Sequence, residues 1–167
     1  MYTQIPPRRV GDYESLKIAI DNKEFQPNEK ENYVLLNEKQ NKVEKIILNK
    51  YKTSKTYNKF VIDPVPLKIS QSIIDLINEQ SYIPNDYLFQ NGKGKRFLET
   101  FSNRIKRVFQ ESIGKGITAN ILRHSFISYA LNGKVSLKKK EQIAFSMGHS
   151  VQMQMEYERF NIEEELN

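Results

Sequence analysis

The stretch ANILRHSF, residues 119–126, sets a charged pair inside an apolar helical pattern. Ile121, Leu122, Phe126 and Ile127 mark the apolar positions, and Arg123 and His124 stand among them. An ion is costly to remove from water unless an opposite charge or hydrogen bonds meet it. The stretch therefore expects an anion. Asn120, Arg123 and His124 fall at i, i+3 and i+4, so one helix side is expected to carry all three. A phosphate suits such a group. Arginine presents a planar fork of donors matched to phosphate oxygens, and a neighbouring imidazole or amide adds another.

Working outward, Thr118 is placed to cap this helix and Gly133 to end it, while Ser136 and Gly148 bracket the next one. Upstream, FLETFSNRIKRVFQESIG (97–114) puts Phe97, Phe101, Ile105, Val108 and Phe109 on one helical face. LKISQSIIDLINEQS (67–81) has Leu67, Ile69, Ile73, Ile74, Leu76 and Ile77 at helical spacing. YIPNDYLFQNGKGKR (82–96) between them reads as a loop. NYVLLNE (32–38), KVEKIILNKY (42–51) and KFVIDPVP (59–66) read as strands, the first two joined by the polar turn NEKQNK. They predict a three-stranded antiparallel meander over residues 33–65. VGDYESLKIAI (10–20) spaces Val10, Tyr13, Leu16, Lys17 and Ile20 like a first helix, entered through two prolines. The expected fold is α+β: one mainly helical domain over residues 1–167 with a small three-stranded antiparallel sheet.

Composition narrows the function classes. The chain has 167 residues, enough for one domain with a core. A net charge of +6 favours a polyanionic partner such as nucleic acid. There is no cysteine, which removes disulfides, thiolate zinc sites and a cysteine nucleophile. With two histidines in the whole chain, no metal and no cofactor are expected. No apolar run approaches the roughly 20 residues that span a bilayer. The start, MYTQIPPRR, lacks the apolar core of a signal peptide, so a secreted protein and a membrane partner are not expected.

The second histidine, His149, follows Gly148 in MGHS, and Tyr157 comes eight residues after it. RRVGDYESL (8–16) carries Arg9 with Asp12 three residues on, and SKTYNKFVI (54–62) carries Lys55. The order of Arg9, Lys55, Arg123-His124, Gly148-His149 and Tyr157 resembles the catalytic domain of the tyrosine recombinase (phage integrase) family. The resemblance covers about residues 5–160. It implies catalytic roles for Arg9, Lys55, Arg123, His149 and Tyr157, and supporting or phosphate-binding roles for Asp12, Asn120 and His124. The family pattern has His or Lys where this chain has Asn120, and a spacing of nine where His149 and Tyr157 are eight apart. It also has an N-terminal DNA-clamping domain, and the chain is expected to be the catalytic domain without it.

The chemistry fits the residue types. A tyrosine oxygen attacks phosphorus and holds DNA as a covalent 3′-phosphotyrosine ester, dividing strand transfer into two reversible steps. Charge on the equatorial oxygens requires preplaced cations, here two arginines in place of a metal. The departing 5′-oxygen needs a proton, which Lys55 can supply, with Lys52 as the alternative. Lys52, Lys93, Lys95 and Arg96 are candidate contacts to the DNA backbone. The resemblance implies site-specific recombination or integration for a phage, virus or other mobile element. It places the protein in the cytoplasm or nucleus, wherever its DNA lies. The partner it implies is double-stranded DNA, bound by a homotetramer on paired sites that forms from free monomers. The tail NIEEELN, with Ile162 and Leu166 four apart, is expected to dock on a neighbour. A catalytically impaired DNA-binding relative and a type IB topoisomerase-like enzyme are the alternatives.

Overall fold

The computed structural model describes residues 4–91, 94–95 and 101–155. Their contacts divide the chain into two compact units, Val10–Phe101 and a second made of Met1–Arg9 with Ser102–Asn167.

The first unit opens with α1 (Val10–Tyr13), a single helical turn. β1 (Leu16–Ile20), β2 (Asn32–Leu36), β3 (Val43–Leu48) and β4 (Phe60–Ile62) then form one sheet in the order β1-β2-β3-β4. β2, β3 and β4 make the expected antiparallel meander, with a register irregularity at Leu35/Leu36. The sheet has a fourth strand, because residues 16–20 extend rather than continue the helix. β1 runs parallel to β2, with Leu16 opposite Asn32 and Ile20 opposite Leu36. Leu16 and Ile18 alternate inward, and β-branched Ile18 and Ile20 favour the pleat over a helix. The outer edge of β1 is closed by residues 85–88, through Ile18 N–H to the Asp86 carbonyl (2.9 Å) and Leu88 N–H to the Leu16 carbonyl (2.8 Å).

β2 is buried along its whole length, so both sheet faces are covered. Ala19, Tyr33, Leu35 and Ile47 form one core cluster, with Phe25 packed on it. α3 (Leu67–Gln80) packs on β3, burying Ile69, Ile73, Ile74 and Ile77. Its Ser70 hydroxyl accepts from Val43 N–H at 2.9 Å, which fastens the helix to the start of that strand. Between β3 and β4 lies α2 (Ser54–Tyr57).

The second unit contains α4 (Phe101–Ile113, all but its first residue), α5 (Ala119–Ala130) and α6 (Leu137–Met147). Three of the expected caps are in place, while α5 ends at Ala130 with Leu131 as its C-cap, two residues before Gly133. Thr118 accepts from Ile121 N–H, Ser136 accepts from Lys139 N–H, and Gly148 ends α6 in the left-handed region at φ +66°. Ile127 and Leu131 meet Ile143 and Met147, with Phe126, Ala130 and Val135 around them. This cluster joins α5 to α6. A further helix, described over residues 151–155, is entered through Ser150, whose hydroxyl accepts from Met153 N–H at 3.2 Å.

Candidate active site

Helix periodicity decides where the charged residues of α5 point. Ala119, Arg123, Ile127 and Leu131 lie four apart and are all buried. They form the stripe that faces the core, and Arg123 belongs to it. Asn120 and His124 are each one residue further on, about 100° around the helix, and both are exposed. The expected single side is therefore divided: Arg123 turns inward, and the amide and imidazole lie on the outer surface.

Arg123 is 3% exposed. Its Nη1 donates to the carbonyls of Pro7 (2.8 Å) and Met147 (3.1 Å). Its Nη2 lies 3.1 Å from Nδ1 of His149. Guanidinium only donates, so Nδ1 must be the acceptor and the ring proton must sit on Nε2. His149 is 2% exposed. Burial first, then the Arg123 charge and the Arg9 and Arg8 charges, push its pKa down to about 4; a hydrogen-bonding contact with Gln154 acts in the opposite direction. At neutral pH the ring is an uncharged Nε2–H donor.

Two more arginines meet the same turn. Arg8 Nη1 donates to the Ser146 carbonyl at 3.0 Å, and Arg9 Nη1 donates to the Gly148 carbonyl at 2.6 Å. Three successive carbonyls at the C-terminal end of α6 thus accept from three different arginines. These carbonyls are among those a helix leaves without internal partners, and they carry the negative end of its dipole. The segment Pro7–Arg9 is held to the two helices at each of its residues, across as many as 139 positions in sequence.

Within this group Arg9 is the open cation. It is half-buried, and among the described residues its guanidinium makes a single hydrogen bond. Its other donors are available to an oxyanion. Beside it stand a fixed Arg123 charge and a neutral ring donor. The set suits a tetrahedral anion, with the arginines supplying the positive charge. Among the described residues no group of carboxylates and histidines could hold a metal ion, and no helix is long and apolar enough to cross a membrane.

The other predicted residues of the described chain lie in the first unit. Asp12 is buried in α1, where its backbone carbonyl accepts from Asn32 Nδ2 at 3.1 Å. Lys55 is exposed on α2 and lines a cleft of about 470 Å³ with Pro27, Glu29, Asn49, Ser54, Asn58 and Lys59. Lys52 is exposed on the turn before α2 and is not part of that lining. Lys95 is exposed, and its backbone N–H donates to Asn91 Oδ1 at 3.2 Å. Lys93, Arg96, Tyr157 and the tail with Ile162 and Leu166 lie outside the described residues.

Three residues escaped the sequence reading. Arg8 has no exposed surface. Gln154 is fully buried beside His149. Asn32 is fully buried and ties Asp12, Ser15, Asn49 and Lys50 together. The doublet Arg8-Arg9 is the one signal that could have flagged the first. Nothing local marks the other two.

No protein-family model matches this chain, and no curated protein matches it. Among solved structures it is similar to the crystal structure of XerA recombinase, with 18% identity and a TM-score of 0.56. The alignment covers 92% of this chain and 48% of that one, so the chain spans about half the length of its structural neighbour. The likeness is one of fold.

Proposed function

We propose that this chain breaks and rejoins DNA as a tyrosine recombinase, holding the scissile phosphodiester between Arg9, Arg123 and His149. The observation that carries the reading is the capped turn: Arg9 and Arg123 donate to the consecutive carbonyls of Gly148 and Met147, beside the ring of His149. Tyr157 is the nucleophile. Its hydroxyl proton passes to solvent, the phenolate oxygen attacks phosphorus, the bond from phosphorus to the 5′-oxygen breaks, and the DNA 3′ end remains on the enzyme as a phosphotyrosine. Lys55 donates a proton to the departing 5′-oxygen, and return of a 5′-hydroxyl reverses both transfers. Asn120 and His124, on the outer surface of α5, and Asp12 take supporting or phosphate-binding roles, and Lys52, Lys93, Lys95 and Arg96 contact the DNA backbone. The partner is double-stranded DNA, engaged by a tetramer on paired sites. The protein works in the cytoplasm or nucleus, where its target DNA lies, in the service of a mobile element.

Asn120 motivates a second reading, a DNA-binding relative that does not cut. The amide preserves hydrogen bonding but cannot transfer a proton. Incubation with nicked suicide duplexes separates the two. A covalent protein–DNA adduct that Tyr157→Phe abolishes supports the recombinase. Binding without any adduct from the unaltered chain supports the relative. Relaxation of supercoils without strand exchange would place the chemistry with type IB topoisomerases.

A further inference from the structure

We propose that Arg8 is a positioning residue of this site: its guanidinium interlocks with Gly148 and sets the Ser146–His149 turn on which Arg9 and His149 depend. Arg8 is 0% exposed, so it does not present its charge to a ligand as Arg9 does. It meets the turn. Its Nη1 donates to the Ser146 carbonyl at 3.0 Å. The guanidinium occupies the side of Gly148 where a side chain would begin. A β-carbon there would stand 2.5 Å from Arg8 Nη2, 3.1 Å from Cζ and 3.5 Å from Nη1. The space that any larger residue needs at position 148 is already filled by Arg8.

Gly148 is therefore constrained twice. Its φ of +66° is costly for residues with a side chain, whatever lies nearby. The guanidinium contact is a separate restriction that exists only while Arg8 is present. Moving this buried guanidinium aside strips the Ser146 carbonyl of its donor, which gives the shift a cost. The consequence runs through neighbours. Gly148 offers its carbonyl to Arg9, and the next residue is His149. Moving the turn by a fraction of an ångström moves the open cation and the ring donor together.

Arg123, Arg9 and Arg8 act on the His149 ring through their charge, and Gln154 acts through hydrogen bonding. Arg8 thus has an electrostatic effect on the ring as well as a steric one on the turn. The two are separable, since Arg8→Lys keeps the charge and loses the planar fork.

The interlock is tested by a double-mutant cycle of Arg8→Ala and Gly148→Ala, read by urea unfolding. Gly148→Ala is expected to lower the folding equilibrium constant roughly tenfold more with Arg8 present than in the Arg8→Ala background. Nuclear magnetic resonance of the His149 ring supplies the second readout: its pKa rises in Arg8→Ala and stays near the unaltered value in Arg8→Lys. If Arg8→Ala does not fold, Arg8→Lys carries the cycle, with the same sign of coupling. Additive costs, or a His149 titration indifferent to Arg8→Ala, overturn the proposal. Its link to DNA cleavage rests on the recombinase reading above. Neither readout uses DNA, so failure of that reading and failure of the interlock are told apart.

Discussion

Arg123 donates from Nη2 to His149 Nδ1 across 3.1 Å, and this bond decides what the ring can do. With Nδ1 occupied as acceptor, the proton sits on Nε2, and burial beside three arginines keeps the ring uncharged. A neutral donor beside these arginines can hydrogen-bond an oxygen without adding to their charge.

This arrangement has a pH signature. The folded pKa of His149 is about 4, below its ordinary 6.5. Between those values the unfolded chain binds more protons than the folded one, so stability rises with pH across that window. The contribution is fully present above about pH 6.5 and is lost as pH falls toward 4. A tenfold change in proton affinity is worth about 1.36 kcal/mol, so the group supplies on the order of 3 kcal/mol. Urea unfolding should show a steeper loss from pH 7 to pH 4.5 in the unaltered chain than in His149→Gln. Parallel losses would contradict the tautomer and the burial.

Arg9 and Arg123 should part company in stability and agree in activity. Arg123→Ala leaves two backbone carbonyls and a ring nitrogen without a donor in a buried place, a loss of about 3–5 kcal/mol. Arg9→Ala removes one hydrogen bond from a half-buried side chain, a loss of about 1 kcal/mol. Adduct formation should fall by about 10³–10⁵ in both, the size expected for a transition-state cation in phosphoryl transfer. Arg9→Ala with normal adduct formation would remove it from the site.

Asn32 is the structural knot of the first unit. Its amide nitrogen donates toward the carbonyls of Asp12 and Lys50 and the Ser15 hydroxyl, and its oxygen accepts from the N–H groups of Asn49 and Lys50. Asn32→Asp turns the donor into a buried anion facing two carbonyls. The expected loss is about 3–5 kcal/mol, read as a lower urea midpoint. A change under about 1 kcal/mol would mean that the network is dispensable.

Lys55 opens on the cleft beside α2 together with Lys59, and Tyr51 closes the loop by donating to the Asn58 carbonyl at 2.6 Å. General-acid catalysis contributes about 10²–10⁴ in rate. A 5′-bridging sulfur leaves without a proton, so it should restore cleavage by Lys55→Ala and not by Lys52→Ala. Rescue of Lys52→Ala alone would exchange their roles.

Much of this was legible in the sequence, and the reasons differ by element. α3 and α4 carry strong apolar periodicity, and Thr118 marks the start of α5 as Ser136 and Gly148 mark the two ends of α6. The meander is marked by short apolar runs around a polar turn. β1 was not legible, because Val10, Tyr13, Leu16 and Ile20 mimic helical spacing while the partner that makes residues 16–20 a strand is β2, from Asn32 onward. The order of Arg9, Arg123 and His149 suggested a common site, but the donors to Ser146, Met147 and Gly148 connect positions far apart in sequence. The division of Asn120 and His124 from Arg123 follows from which stripe of α5 packs on α6, and that depends on the whole unit.

The measurement closest to the central claim is the chemical identity of the protein–DNA link. A pool of nicked duplexes of varied sequence is incubated with the chain, the adduct is digested, and the DNA-bearing peptide is sequenced by mass spectrometry. One modified peptide is expected, with a 3′-phosphate esterified to Tyr157, absent from Tyr157→Phe and Arg123→Ala. No adduct on any member of the pool, or an ester on another residue such as Tyr129, would contradict it.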